Sequence, residues 1–238
     1  MAILSGIPQN VTYQTVNVAQ GGGSLNLLIN PRGKINQASE VTGIKAAGEY
    51  FCDGWKAGAS GAEVYVDVDG IRLVSGSIKQ LVPNTLEVGR TIRGNMDIVS
   101  GTPTMSINGG TDTATSDAAT YIELEISGNN SKFTRVILAE SVNLPSYQQA
   151  QDELTPCLRF YIKRSYDETG ISYIDVSQVH TNTALNWLDM NFPVVMHMTP
   201  AVNLNASVGP SVNVKLDGFI ANYNSPFVLY SYTADARP

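Results

Sequence analysis

A chain of 238 residues with 43% hydrophobic and 15% charged content buries a sizeable core, which excludes an intrinsically disordered protein. Its net charge of −6 and sequence pI of about 4.9 exclude a role on the nucleic-acid backbone, which needs clustered Lys and Arg, and argue against an anionic membrane surface. The 21 glycines and 11 prolines favour many short strands and turns over long amphipathic helices. Residues 1–23 read as an N-terminal arm: Pro8, alternating Val11/Tyr13 and Val16/Val18, then the hinge Gly21-Gly22-Gly23. The arm has too few apolar residues for a core of its own. Two readings stand, a strand added to a neighbouring protein and a strand docked on its own domain.

Residues 24–143 read as the first β domain. Val64, Val66 and Val68 alternate up to Asp69-Gly70, and Ile71 and Leu73 alternate after it. Asp-Gly suits a type I′ turn. That register sets Val68 against Ile71 and Val66 against Leu73 in the core, with Asp67 and Arg72 as an opposite-charge pair on the other face. Further strands are expected at Ser77–Val82, Thr91–Val99, Thr104–Ile107, Tyr121–Ile126 and Phe133–Ala139, with turns at Asn108-Gly109-Gly110 and Gly128-Asn129-Asn130. Six or more short antiparallel strands on one core make a sandwich or jelly roll.

Residues 144–238 read as a smaller C-terminal β domain. Ser146-Tyr147-Gln148-Gln149 has the form of a capping box, which predicts a two-turn helix from Tyr147 to about Thr155, stopped by Pro156. A strand over Cys157–Tyr166 then places Leu158, Phe160 and Ile162 on one face. Asp167-Glu168-Thr169-Gly170 turns the chain into Ile171–Val176, and strands follow at Pro193–Met198, Ser211–Leu216 and Phe227–Tyr232. No internal repeat is visible, which speaks against a solenoid.

Cys52 and Cys157 do not make a disulfide framework, and their apolar neighbours point to buried free thiols. The first residues carry no leader pattern, and no run approaches the ~18 apolar residues of a spanning helix. No catalytic motif is visible, neither a nucleophile elbow, a zinc-protease helix nor a phosphate loop. His180, read in a loop, and His197, read in a strand, are expected to be structural. Asp67, Asp69, Glu123 and Glu125 are the carboxylates that glycoside hydrolysis would draw on, and their strand-face positions favour solvated charges. No cofactor is expected; a structural Ca²⁺ would use Asp112 and Asp117. Sugar recognition wants aromatic platforms with amide partners, and the candidates are Trp187, Tyr223, Tyr230, Tyr232, Asn222 and Asn224. Trp55 is expected in the core instead. Tyr161, Tyr166 and Tyr173 belong to the same tyrosine-rich region.

Four segments stand out in fixed order: Asn26-Leu27-Leu28-Ile29-Asn30-Pro31-Arg32, Trp55-Lys56-Ala57-Gly58, Glu153-Leu154-Thr155-Pro156-Cys157-Leu158-Arg159-Phe160-Tyr161, and Thr233-Ala234-Asp235-Ala236. Together they resemble a family of bacteriophage fibre and spike proteins in which a carbohydrate-binding-module-like jelly roll precedes a compact β domain. The chain departs from the family pattern at Gly33, Gly54, Pro156, Leu158 and Arg237-Pro238. The resemblance implies a non-enzymatic virion subunit, assembled in the host cytoplasm. It would be commonly a homotrimer, attached to another virion protein through its arm and displaying a face to host glycans. The alternatives are a capsid decoration or head-fibre protein and, from another class, a glycan-degrading spike enzyme. A cellular carbohydrate module comes last.

Overall fold

A computed structural model describes residues 25–165, 179–182, 185–206, 211–223 and 229–238. In chain order its first strands are β1 Gly43–Lys45, β2 Tyr50–Cys52, β3 Trp55–Asp67, β4 Gly70–Pro83, β5 Thr91–Ser100, β6 Thr104–Ile107, β7 Thr113–Thr115, β8 Tyr121–Ser127 and β9 Ser131–Glu140. Helix α1, Leu154–Leu158, leads into β10 Tyr161–Ser165, β11 Val179–Asn182, β12 Leu185–Asn191, β13 Ala201–Ala206, β14 Ser211–Val214, β15 Gly218–Tyr223 and β16 Leu229–Asp235. The fold is all-β, a sandwich followed by a smaller β region, as composition and strand patterning imply.

The long strand β4 organises the sandwich. On one side it pairs with β3. On the other, residues 71–73 pair with β9 and residues 77–83 pair with β8. One branch therefore runs β4-β8-β6 and the other β4-β9-β5-β7. Both branches feed one core: Ile122, Leu124 and Ile126 alternate inward from β8, and Ile92, Phe133 and Val136 come from β5 and β9. Residues 136–139 are buried without a break because segment 25–31 lies alongside, with the Leu27 N–H on the Leu138 carbonyl (2.8 Å). The second region has its own core, Ile162, Phe192, Phe219, Ala221 and Tyr232 among others. Its sheets are β10-β16-β13 and β11-β12-β15-β14.

Several expectations are corrected. In the β3–β4 hairpin Asp67 pairs with Gly70 and Val66 with Ile71, so the loop is Val68-Asp69 and Val68 is 96% exposed. Gly70 is held inside the strand because a Cβ there would stand 2.4 Å from the Phe133 carbonyl oxygen of β9. The Asp67–Arg72 ion pair still forms (2.9 Å), diagonally, while Arg72 lies over the ring of Tyr65 directly opposite. The helix expected from Tyr147 is absent. The chain stays irregular until Asp152 accepts the amides of Leu154 (3.0 Å) and Thr155 (2.9 Å), and α1 starts there with Pro156 in its first turn, where a missing N–H costs little. The following strand accordingly begins at Tyr161, not Cys157. Residues 193–198 form a loop rather than a strand, with Met196 turned into the second core. The arm at 1–23, the turn at 167–170 and the strand at 171–176 lie outside the described residues.

Candidate functional site

The four motif segments meet. Asn30, 1% exposed and at φ +47°, sits at the centre. Its side-chain amide donates to the Ile35 (2.8 Å) and Asp53 (3.0 Å) carbonyls, and its side-chain oxygen accepts the Ile35 N–H (3.0 Å). Its backbone carbonyl accepts the indole N–H of the fully buried Trp55 (2.9 Å). From the same first segment Arg32 reaches Glu153 (2.9 Å). The third and fourth segments pair with each other, Tyr161 opposite Asp235 in the β10–β16 ladder and the Ala236 N–H on the Phe160 carbonyl (2.8 Å). Gln37 ties the two regions, donating to the Tyr161 carbonyl (2.9 Å) and to Asp53 (2.6 Å).

Arg237 closes this seam. Its guanidinium pairs with Asp235 (2.7 Å) and Glu40 (3.0 Å) and lies 4.4 Å and 4.6 Å from the ring centres of Tyr50 and Tyr161. Burial works against the cation, but the carboxylates of Asp235 and Glu40 outweigh it and its pKa is raised. Tyr50 and Lys56 both donate to the Pro238 carbonyl (2.7 and 2.5 Å). Burial pushes the Cys52 and Cys157 thiols up, so both are protonated at neutral pH. Sequence reasoning missed the roles of Glu40 and Gln37, and the Arg237–Glu40 pair, because these partners are far apart in the chain; the motif spacing was the one available signal. Beside the seam runs a groove of about 530 Å³, lined by Leu27, Ile29, Pro83, Tyr147 and Phe160 with Glu153 at its polar end.

Of the residues expected to bind sugar, Trp187 lies on β12, Asn222 and Tyr223 on β15, and Tyr230 and Tyr232 on β16. In the four-stranded sheet, backbone register sets His180 opposite Trp187, Trp187 opposite Asn222, and Asn222 opposite Ser211. Phe219 and Ala221 of the central strand β15 are buried in the second core. Tyr232 is 3% exposed, packed edge-on against Phe219. Tyr230 is 45% exposed on β16, at a register shift that breaks the in–out alternation between Leu229 and Tyr232. Asn224 lies outside the described residues, as do Tyr166 and Tyr173.

The other named residues have structural partners. Asp67 and Asp69 both pair with Lys132 (2.9 and 3.0 Å), Glu123 with Lys79 (2.8 Å), and Glu125 accepts from Ser77 (2.5 Å). His197 meets the Tyr121 hydroxyl (2.9 Å) and stacks near Phe160; burial, helped by Arg159, lowers its pKa. His180 belongs to β11, not to a loop. Asp117 caps its own turn through the Ala119 N–H (3.0 Å), and among the described residues no three His, Cys, Asp or Glu gather as a metal would require. Compared with family models, curated proteins and solved structures, the chain matches none.

Proposed function

We propose that this chain is a non-enzymatic structural subunit of a tailed-bacteriophage virion, a fibre or spike protein that presents a binding face to the host surface. The supporting observation is the convergence of the four motif segments on one seam. Segments spread from residue 26 to residue 236 act as a set there, which is how residues that define a two-part fold behave. Their role in the seam is to hold the two cores together, so ligand contact falls to other surfaces.

The proposed contact surface for host glycan is the sheet β11-β12-β15-β14, where backbone register sets His180, Trp187, Asn222 and Ser211 opposite one another. Aromatic, amide and hydroxyl residues are the types that take a sugar ring by stacking and hydrogen bonding. A single site of this size binds weakly, and a homotrimer displaying several copies would gain avidity. Trimer contacts would also cover open sheet edges, and residues 1–23 would supply the attachment to another virion protein.

The test is to label this chain on purified virions with a specific antibody and image them by electron microscopy. Label at the tail tip or collar is the expected result. Label spread over the capsid would move the reading to a decoration or head-fibre protein. Unlabelled particles would overturn the virion reading.

A further inference from the structure

We infer that a polar cleft at the β5–β9 bulge is a second saccharide-binding site, in the sandwich and separate from the four-stranded sheet. The cleft measures about 350 Å³ and is lined by Asn95, Asp97, Arg135, Ser146, Tyr147 and Gln149.

One wall is the bulge. Asn95 pairs with Ile137 and Asp97 with Thr134, so Met96 faces the two residues Arg135 and Val136. Arg135 takes φ +52°. The other described non-glycine residues at positive φ are Ser39 and three asparagines, Asn30, Asn108 and Asn130, the residue type that tolerates this region. An arginine there is the exception, in a bulge position that favours glycine. Strain of this kind, held in place by surrounding structure, points to a use for the side chain. Here the guanidinium lies at the cleft, 3.1 Å from Asp97, with both side chains more than half exposed.

The other wall is the irregular stretch 145–149. Asn95 fastens it to the bulge by donating to the Pro145 carbonyl (2.9 Å). Tyr147 is fixed from behind, its hydroxyl donating to Glu153 (2.9 Å), which Arg32 also holds. Its phenol, pushed up to about 12 by burial and Glu153, stays neutral, and the residue lines both this cleft and the groove beside the seam. Ser146 and Gln149 are exposed at the rim. Both walls are set before any ligand arrives, which lowers the ordering cost of binding.

The ligand class follows from charge. Arg135 and Asp97 neutralise each other, so an ion would have to break their pair. A vicinal diol donates to Asp97 and accepts from Arg135 at once, leaves the pair intact, and sets a hexose C–H face on Tyr147 with Gln149 and Ser146 reaching the next hydroxyls.

The experiment is a titration of the isotopically labelled full chain with glucose, galactose, N-acetylglucosamine and rhamnose at millimolar concentrations, followed by amide NMR. At least one sugar is expected to shift amides within 95–97, 134–136 and 146–149. Arg135→Gly is expected to weaken that sugar about tenfold or more, the loss of one charge-assisted bond, while raising the melting temperature because glycine relieves the strain. Gln149→Ala, at an exposed position, is expected to weaken it several-fold with the fold unchanged. No shift at these amides with any of the four sugars, shifts confined to residues 186–188 and 220–222, or wild-type affinity in Arg135→Gly would each overturn the site. None of these outcomes depends on where virions are labelled, so the two readings fail separately.

Discussion

Asn30 uses its unusual backbone conformation and both ends of its amide in one place, and Ile35, Asp53 and Trp55 all depend on it. Asn30→Ala removes the amide bonds to Ile35 and Asp53 and leaves buried carbonyl and N–H groups unpaired. A loss of about 2–4 kcal/mol is expected, read from the shift of the urea midpoint. Two carboxylates give pH effects of opposite sign. Asp67, beside Arg72 and Lys132, titrates below its ordinary range, so its contribution is present above the unfolded pKa and is lost as pH falls through the folded value. Lys132→Met is expected to flatten the acid side of a stability–pH curve measured over about pH 2–5. Asp53 is pushed up by burial against the opposing bonds from Gln37, so its contribution is present below the unfolded pKa and fades as pH rises through the folded value. The sign for Asp67 follows from the Arg72 pairing that the sequence suggests, whereas that for Asp53 is not legible, because the burial that shifts it comes from other elements.

The strands themselves were largely legible, and their edges show why the remainder was not. Thr104–Ile107 and the alternating Ile122, Leu124 and Ile126 form as their period of two implies. The β3–β4 turn slips by one residue because Gly70 answers to the Phe133 carbonyl, a contact 63 residues away that no local turn rule contains. Gly70→Ala is expected to cost about 2–3 kcal/mol, since backbone would have to move, while Gly109→Ala, with open space around it and only a φ of +74° to strain, is expected to cost about 1 kcal/mol. Thermal melts of the two variants side by side check the contrast. The capping-box pattern at Ser146 misled because the Asp152 carboxylate accepts two backbone N–H groups at a later helix start, and the stretch before it is drawn out by Asn95. At the sugar row the pairing of Trp187 with Asn222 needed tertiary register.

Across the whole molecule, two cores are joined by a seam that is polar, aromatic and mostly buried. Arg237→Met is expected to destabilise by about 2–4 kcal/mol, because Glu40 and Asp235 would face each other without their cation. Limited proteolysis should then release a fragment containing the sandwich before the wild-type chain is cut, and equal protease resistance of the variant would refute the clamp. The seam has a mechanical consequence as well. Leu27 and Ile29, where the described chain begins, line the same small hollow as Arg237 and Pro238, where it finishes. A pull applied to both ends is therefore a short-range load. Such a load falls on the bonds that lie between those two points, the Arg237 cage and the contacts around Asn30, so the seam is where tension between residues 27 and 238 would be carried.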